Sequence, residues 1–463
     1  ADSCNKMDFQ LLRRVLRLAK PFKKILITSL VLAIVLAPVA VLRPKIIQVM
    51  VDDYISVGDI PGLMNMALIF IAVLILQAVL QYSFIFSNNL LGQSLIRDLR
   101  VQVFNHLSKL RLTYFDKTPI GTSTTRTIND IETINTIFTQ GTITIIADML
   151  TLIAVLAIMF YTSVELTLVC LITMPFLIIA TYIFKEKVKI SYQKVRNKIS
   201  EMNAFLQERI TGMRIVQIFN AEEQEMRKFK KINRDYTQAN LDAILYYAIF
   251  FPIVEIISAA ALGLMVWWGA GSVLEGTVTI GALVAFPLYL SMLFRPMRML
   301  ADKFNQLQMG LVAADRVFKV LDRTDMIENK GSHTTDNIQG KVDFENVWFA
   351  YSDDDYVLKD ISFGIEAGKT LAIVGGTGSG KTTIINLLNR FYEINNGKIK
   401  VDNVELKDYE LYQLRREIAV VLQDVFLFSG SVLENITLRD KSISRETVVE
   451  SAKTIGADAF IQK

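Results

Sequence analysis

Residues Gly375-Gly376-Thr377-Gly378-Ser379-Gly380-Lys381-Thr382 combine four glycines, a lysine and a terminal hydroxyl in the spacing Gly-x4-Gly-Lys-Thr. Each residue type has a chemical reason. Glycines let backbone N–H groups close around phosphate oxygens, and a helix N-terminus just behind adds its favourable dipole. Lys381 reaches β- and γ-phosphate oxygens as a point charge, and the Thr382 hydroxyl is placed to ligate Mg²⁺. The flanks supply the context such a loop needs. Leu371-Ala372-Ile373-Val374 is expected to be a short buried strand running directly into Gly375, and Ile384, Ile385, Leu388 and Phe391 recur at helical spacing behind it. The backbone from Gly375 through Thr383 is therefore the expected nucleotide-phosphate cradle. A glycine-rich turn without a ligand is the weaker alternative.

Hydrolysis asks for more. A carboxylate pair at the end of an apolar strand would hold the magnesium shell and orient water. Beyond Lys381 the nearest such run, Ile418-Ala419-Val420-Val421-Leu422-Gln423-Asp424, reaches glutamine rather than an acidic pair. The two histidines, His106 and His333, both precede the loop. Residues 382–463 thus supply binding chemistry without a hydrolytic carboxylate pair or a γ-phosphate-sensing histidine.

The elements that must carry this loop are set by composition. Of 463 residues, 52% are hydrophobic and 21% charged, and mean hydropathy is +0.35, too apolar for an ordinary soluble protein. The net charge of +4 gives no argument for nucleic acid. Cys4 and Cys170 form no disulfide framework or metal-ligand spacing, and Cys170 reads as a small hydrophobe inside an apolar run. Met7-Asp8-Phe9 resembles a natural start, so residues 1–6 are set aside from fold reasoning.

A helix crossing a bilayer core needs about 20 apolar residues. Six runs qualify: Ile25–Leu42, Leu63–Phe86, Ile143–Tyr161, Leu166–Phe184, Ile244–Val273 and Ile280–Met299. Pro38, Pro175, Pro252 and Pro287 fall inside them, which neighbouring membrane helices accommodate. Lys and Arg crowd the segment before the first run, the second-to-third connection (Arg97 to Arg126) and the fourth-to-fifth (Lys185 to Arg234). The first-to-second connection holds only Arg43 and Lys45, and Ser163–Glu165 and Leu274–Thr279 hold none. Positive segments stay cytoplasmic, so both ends of the membrane domain are expected inside, as is the nucleotide loop. This predicts a multi-pass protein of the plasma (cell inner) membrane.

Phe9, Leu12, Leu16 and Ala19 share a helical face opposite Arg13, Arg17 and Lys20, as an interfacial helix would. The connections 87–141 and 185–243 are long, charged and poor in proline. As helix pairs they would project about 35–40 Å beyond the bilayer, turning at Tyr114–Gly121 and near Gly212. Residues 1–24 are read as an N-terminal remnant and interfacial helix, 25–320 as a six-helix membrane domain, 321–340 as a linker, and 341–463 as part of a nucleotide-binding domain. The expected fold class is an all-α membrane domain with long cytoplasmic extensions, followed by the N-terminal part of an α/β phosphate-loop domain.

These features resemble the ATP-binding cassette exporters in the half-transporter arrangement, from about Phe9 to Lys463. The matches are Tyr114-Phe115-Asp116 with Gly121, Arg126 and Asp130; Gly276-Thr277-Val278-Thr279-Ile280-Gly281; Arg316-Val317-Phe318; and, in the cassette, Asp360-Ile361-Ser362-Phe363, the glycine loop and Val421-Leu422-Gln423-Asp424. Gly376 departs from the pattern, since another residue commonly stands there. The resemblance implies that Tyr351 stacks on adenine, that Gln423 contacts magnesium and water and senses the γ-phosphate, and that coupling helices lie near 113–122 and 205–214, meeting a surface near Val425–Glu434. In the family's order the signature sequence, acidic pair, D-loop and switch histidine would follow Lys463.

What the resemblance implies is an ATP-hydrolysing translocase. One chain is half of a homo- or heterodimer in membrane lipid, driven by Mg²⁺ and ATP to export or flip a small amphipathic, lipid or peptide substrate, with no role for nucleic acid. The alternative is a regulatory membrane subunit that binds nucleotide without hydrolysing it. Glu255, mid-span, faces either a cavity or a structural partner; Gln77 and Gln81 share a face suited to a polar cavity or to hydrogen bonding between helices. Asp148 reads as interfacial, and Trp267 and Trp268 as an outer aromatic belt.

Overall fold

The computed structural model describes residues 9–326, 329–335, 337–352, 355–423 and 425–462. Cys4, Met7, Asp8, Asp424 and Lys463 lie outside them. The chain divides into two compact units, Ala1–Leu110 with Tyr114–Met326 and Arg111–Thr113 with Ile327–Lys463.

The first unit is helical. α1 (Phe9–Arg17) leads into α2 (Lys23–Val49), and α3 (Ile60–Leu107) follows. After α4 (Leu112–Lys117), the chain returns through α5 (Ile120–Thr125), α6 (Ile131–Thr136) and α7 (Ile143–Thr162). α8 (Val164–Leu171) and α9 (Met174–Thr211) lead to α10 (Met213–Ile218), and α11 (Glu222–Leu274) and α12 (Ile280–Leu321) complete the unit. Five helical stretches are long and apolar enough to cross a membrane, and the sixth apolar run, Ile280–Pro296, opens the longer α12. Their surfaces are greasy: Ile69, Leu76 and Val79 on α3 are each about half exposed or more. A single large apolar surface of this kind is a membrane-facing one.

The long connections form helix pairs. α3 alone runs for 48 residues, about 72 Å at 1.5 Å per residue and so about 40 Å longer than a bilayer core. α9 and α11 pair antiparallel, with Phe184 stacked on Phe250 at 3.9 Å and Lys198 bridging to Asp235 at 3.4 Å. The turn falls at Gly212, where the expected break lay. Arg209 and Lys228 meet Glu225 there at 2.6 and 2.8 Å, and Lys228 above all holds that carboxyl below its usual range.

Three expectations need correction. Arg43 and Lys45 do not sit in a loop: α2 continues past Pro44, which costs one N–H, and through a π-helical stretch, Met50–Ile55. The first connection shrinks to a turn at 56–59 with no Lys or Arg. The fourth run is broken at Ile172–Thr173, because Pro175 starts a new helix. The short helix expected near 205–214 is α10, Met213–Ile218, while 205–211 still belong to α9.

The motif residues between the fifth and sixth runs have local causes. Gly276 ends α11 at φ +76°, and Thr279 caps α12. Asp52 accepts from the Thr279 hydroxyl at 2.6 Å and the Gly281 N–H at 2.7 Å, tying α2 to the start of α12. A Cβ on Gly281 would strike the Asp52 carboxyl at 2.7 Å.

The second unit holds an antiparallel sheet of β1 (Val342–Ala350), β2 (Tyr356–Ile365), β3 (Asn396–Val401) and β4 (Val404–Glu405), in the order β2-β1-β3-β4. α13 (Lys381–Leu388) packs Ile384 and Leu387 into a core with Phe344, Val347, Phe349 and Leu358. Asn346 and Asp360 adopt φ of +47° and +52°, and Asn346 donates to the Asp360 carboxylate at 2.7 Å and to Ser362 Oγ at 2.8 Å. The Asp-Ile-Ser-Phe run thus fixes a bulge between β1 and β2.

Leu371–Val374, expected as a short buried strand, and the apolar run from Ile418 to Gln423, expected as a strand, do not join the sheet among the described residues. Val374 is 88% and Val421 98% exposed. An apolar run becomes a strand only when neighbours accept its backbone hydrogen bonds, and no described strand lies beside either.

Candidate nucleotide site and membrane-domain clusters

Gly378 and Gly380 take φ of +86° and +87°, a region costly for any side chain. Gly380 caps α13, so the N–H groups of Lys381, Thr382 and Thr383 lack helical acceptors, as every helix start does. A Cβ at Gly380 would meet Leu358 Cδ2 at 2.6 Å, whereas at Gly376 it would meet nothing within 4 Å. Lys381 Nζ donates to the carbonyl oxygens of Gly375 at 2.9 Å and Gly376 at 2.7 Å. Its ammonium therefore already lies across the mouth of the loop, where a phosphate would be met.

The Thr382 side chain is exposed and Thr383 is buried. Thr383 Oγ1 and the Tyr351 hydroxyl share a hydrogen bond of 3.1 Å, so the Thr383 hydroxyl is committed and its N–H is what remains for phosphate. Tyr351 also packs edge-on against Phe349 at 4.8 Å and Tyr392 at 5.1 Å. Tyr351 and the loop are thereby brought together. Gln423 is exposed on its unpaired segment and is not bonded to the loop among the described residues.

Sequence spacing missed Arg415, on α14 (Leu411–Glu417). Its guanidinium donates to the carbonyls of Asn389 at 3.1 Å and Arg390 at 3.0 Å, closing the C-terminal end of α13, and lies 5.0 Å from the Phe391 ring centre. Burial lowers its pKa from the usual arginine value. No local pattern could have found it, because it acts across 25 or more residues.

In the helical unit the matched residues also meet. Tyr114 is 2% exposed, Arg126 reaches its hydroxyl at 3.5 Å, and Arg316 Nη1 pairs with buried Asp130 at 3.3 Å. Asp148, expected at the membrane interface, forms a half-buried ion pair with Lys303. Glu255 is exposed and has no ion-pair partner among the described residues. The Gln77 amide oxygen is buried without a partner among the described residues, while Gln81 is exposed. Trp267 and Trp268 are 75% and 50% exposed.

A greasy helical unit on one chain with a phosphate-binding glycine loop defines a multi-pass membrane protein that uses nucleotide. Residues 26–297 match the ABC transporter transmembrane region family and 358–462 the ABC transporter family. The chain is 37% identical over 451 residues to the ABC transporter ATP-binding protein YknV of Bacillus subtilis, covering 97% of this chain and 75% of that protein. It is 29% identical to YgaD of Bacillus subtilis, a protein named for multidrug export, over 97% of this chain and 79% of that one. It is 32% identical to the ABC transporter ATP-binding protein exp8 of Streptococcus pneumoniae, over 99% of this chain and 79% of that one. The chain belongs to the ABC transporter family, as an ATP-hydrolysing half-transporter of the exporter type. A half-transporter works with a second half and carries a substrate. The regulatory-subunit alternative finds no support in these relatives.

Proposed function

We propose that this half-transporter exports an amphipathic substrate across the cell membrane, with both termini and the nucleotide-binding domain cytoplasmic. The observation that carries the ATP site is the loop from Gly375 to Thr383: two left-handed glycines, three helix-start N–H groups and a lysine across its mouth. The α- and β-phosphates would lie on those N–H groups and Lys381 would hold the β- and γ-oxygens. Tyr351 would stack on adenine; the exposed Thr382 hydroxyl and Gln423 would hold Mg²⁺, which neutralises phosphate charge when bound.

ATP acts on the spans only through its preference for one conformation over another. The helix pairs turning at α4 and α10 are the elements through which that preference would reach them. An amphipathic substrate is supported by the relatives named for multidrug export. Lys381→Ala should abolish ATP-driven uptake into inverted vesicles while expression and melting temperature stay unchanged. Uptake undiminished in that variant overturns the reading.

A further inference from the structure

We infer that the membrane domain recognises the anionic headgroup of an amphiphile through Arg43 and Arg295, a reading that rests on the export function above and names its substrate class. A cleft of about 590 Å³ lies between α2, α11 and α12, within the range that holds a small amphiphile. Arg43 comes from α2 and Arg295 from α12, and both line this one cleft. Both are exposed, and neither makes an ion pair among the described residues.

Their place on apolar helices makes these arginines informative. Asp52 ties α2 to the start of α12 at Gly281. Counting along the helices from that tie, Arg43 lies about 13 Å and Arg295 about 21 Å away, and both sit within apolar helices of the membrane domain. A cation without an ion-pair partner in an apolar helix is costly where lipid surrounds it and characteristically lines a pathway or meets an anion. Planar guanidinium groups match carboxylate, sulfate or phosphate oxygens two at a time.

The remaining wall suits the tail. Ile47, Phe251, Leu288 and Met292 line the same cleft, and an unbranched methionine adapts to varied shapes. Glu255, one turn beyond Phe251, is the nearest carboxylate along α11 and does not line the cleft or pair with either arginine among the described residues.

The test measures equilibrium binding to the purified protein in nanodiscs, without ATP. The probes are fluorescent dodecyl chains carrying a sulfate or a trimethylammonium headgroup. The sulfate probe should bind more tightly than the cationic one. Arg43→Gln and Arg295→Gln should each weaken it at least tenfold, with Arg→Lys recovering part of the loss and the cationic probe unaffected. Nanodiscs of wholly zwitterionic lipid against discs with phosphatidylglycerol separate the sources. Competition by phosphatidylglycerol identifies a lipid headgroup as the occupant, and its absence identifies a free amphiphile, either one satisfying the proposal. Equal binding of the sulfate probe by the double Gln variant and the unaltered protein overturns it, as does preference for the cationic probe. Lys381→Ala should leave this binding intact, so failure of the ATP site and failure of the anion cleft read out separately.

Discussion

Within the glycine loop, identical residues carry unequal demands. Gly380 has a left-handed φ of +87° and Leu358 against the position of a Cβ, while Gly376 has open space around it. Gly380→Ala combines about 1–2 kcal/mol of backbone strain with that clash, so ATP affinity should fall at least tenfold. Gly376→Ala should change it less than about twofold. Fluorescent-nucleotide titration of both variants decides, and equal losses would show that the loop does not adopt this shape on the nucleotide. The open space at position 376 leaves room for glycine or for the larger residue common there in the family. The spacing of Gly375 to Thr382 was readable from residue types alone. That Thr383 spends its hydroxyl on Tyr351 was not, because 32 residues separate them.

Helix α1 shows what happens when an element meets its neighbours. Its periodicity marks an amphipathic helix suited to the membrane surface, yet Val15 and Ala19 are buried in a core with Val317 and Phe318 of α12. Arg14 forks onto Asp322 at 2.6 and 2.5 Å and lies 4.0 Å above the Phe318 ring. The same helical pattern would serve lipid or protein, and the packing shows which of its residues meet protein. The arginine's hydrogen bonds hold Asp322 below the usual aspartate range. A depressed carboxyl adds stability that is present above its unfolded value and is lost as pH falls through the folded one. Exposed pairs of this kind contribute at most about 1 kcal/mol. Arg14→Gln should therefore lower the melting temperature slightly at pH 7, and the difference from the unaltered protein should shrink below about pH 4. A gap that stays constant down to pH 3 would assign the effect to packing on Phe318.

Across the whole molecule, alternating charge and greasiness argue for the proposed direction, with the long helix pairs on the cytoplasmic side. The turns at 56–59, 163 and 275–279 contain no Lys or Arg, whereas the long helix pairs are rich in both. With Cys4 and Cys170 replaced by Ser and Ala, a cysteine at Glu275 should react with an impermeant maleimide on intact cells. One at Asn220 should react only after permeabilisation; the reverse pattern would invert the proposed topology. The sequence alone determined the number of apolar runs, the helix-pair extensions, the turn at Gly212 and the phosphate loop, since each depends on composition and spacing within a few turns of chain. Only the tertiary structure decided that α2 runs on past Pro44 and carries Arg43 into a cleft with Arg295. It also decided that Asp148 pairs with Lys303 and that Leu371–Val374 and Ile418–Gln423 stay outside the sheet. The reason is the same in each case: a proline, a charge or an apolar run has several acceptable local states, and the partner that selects among them lies far away along the chain.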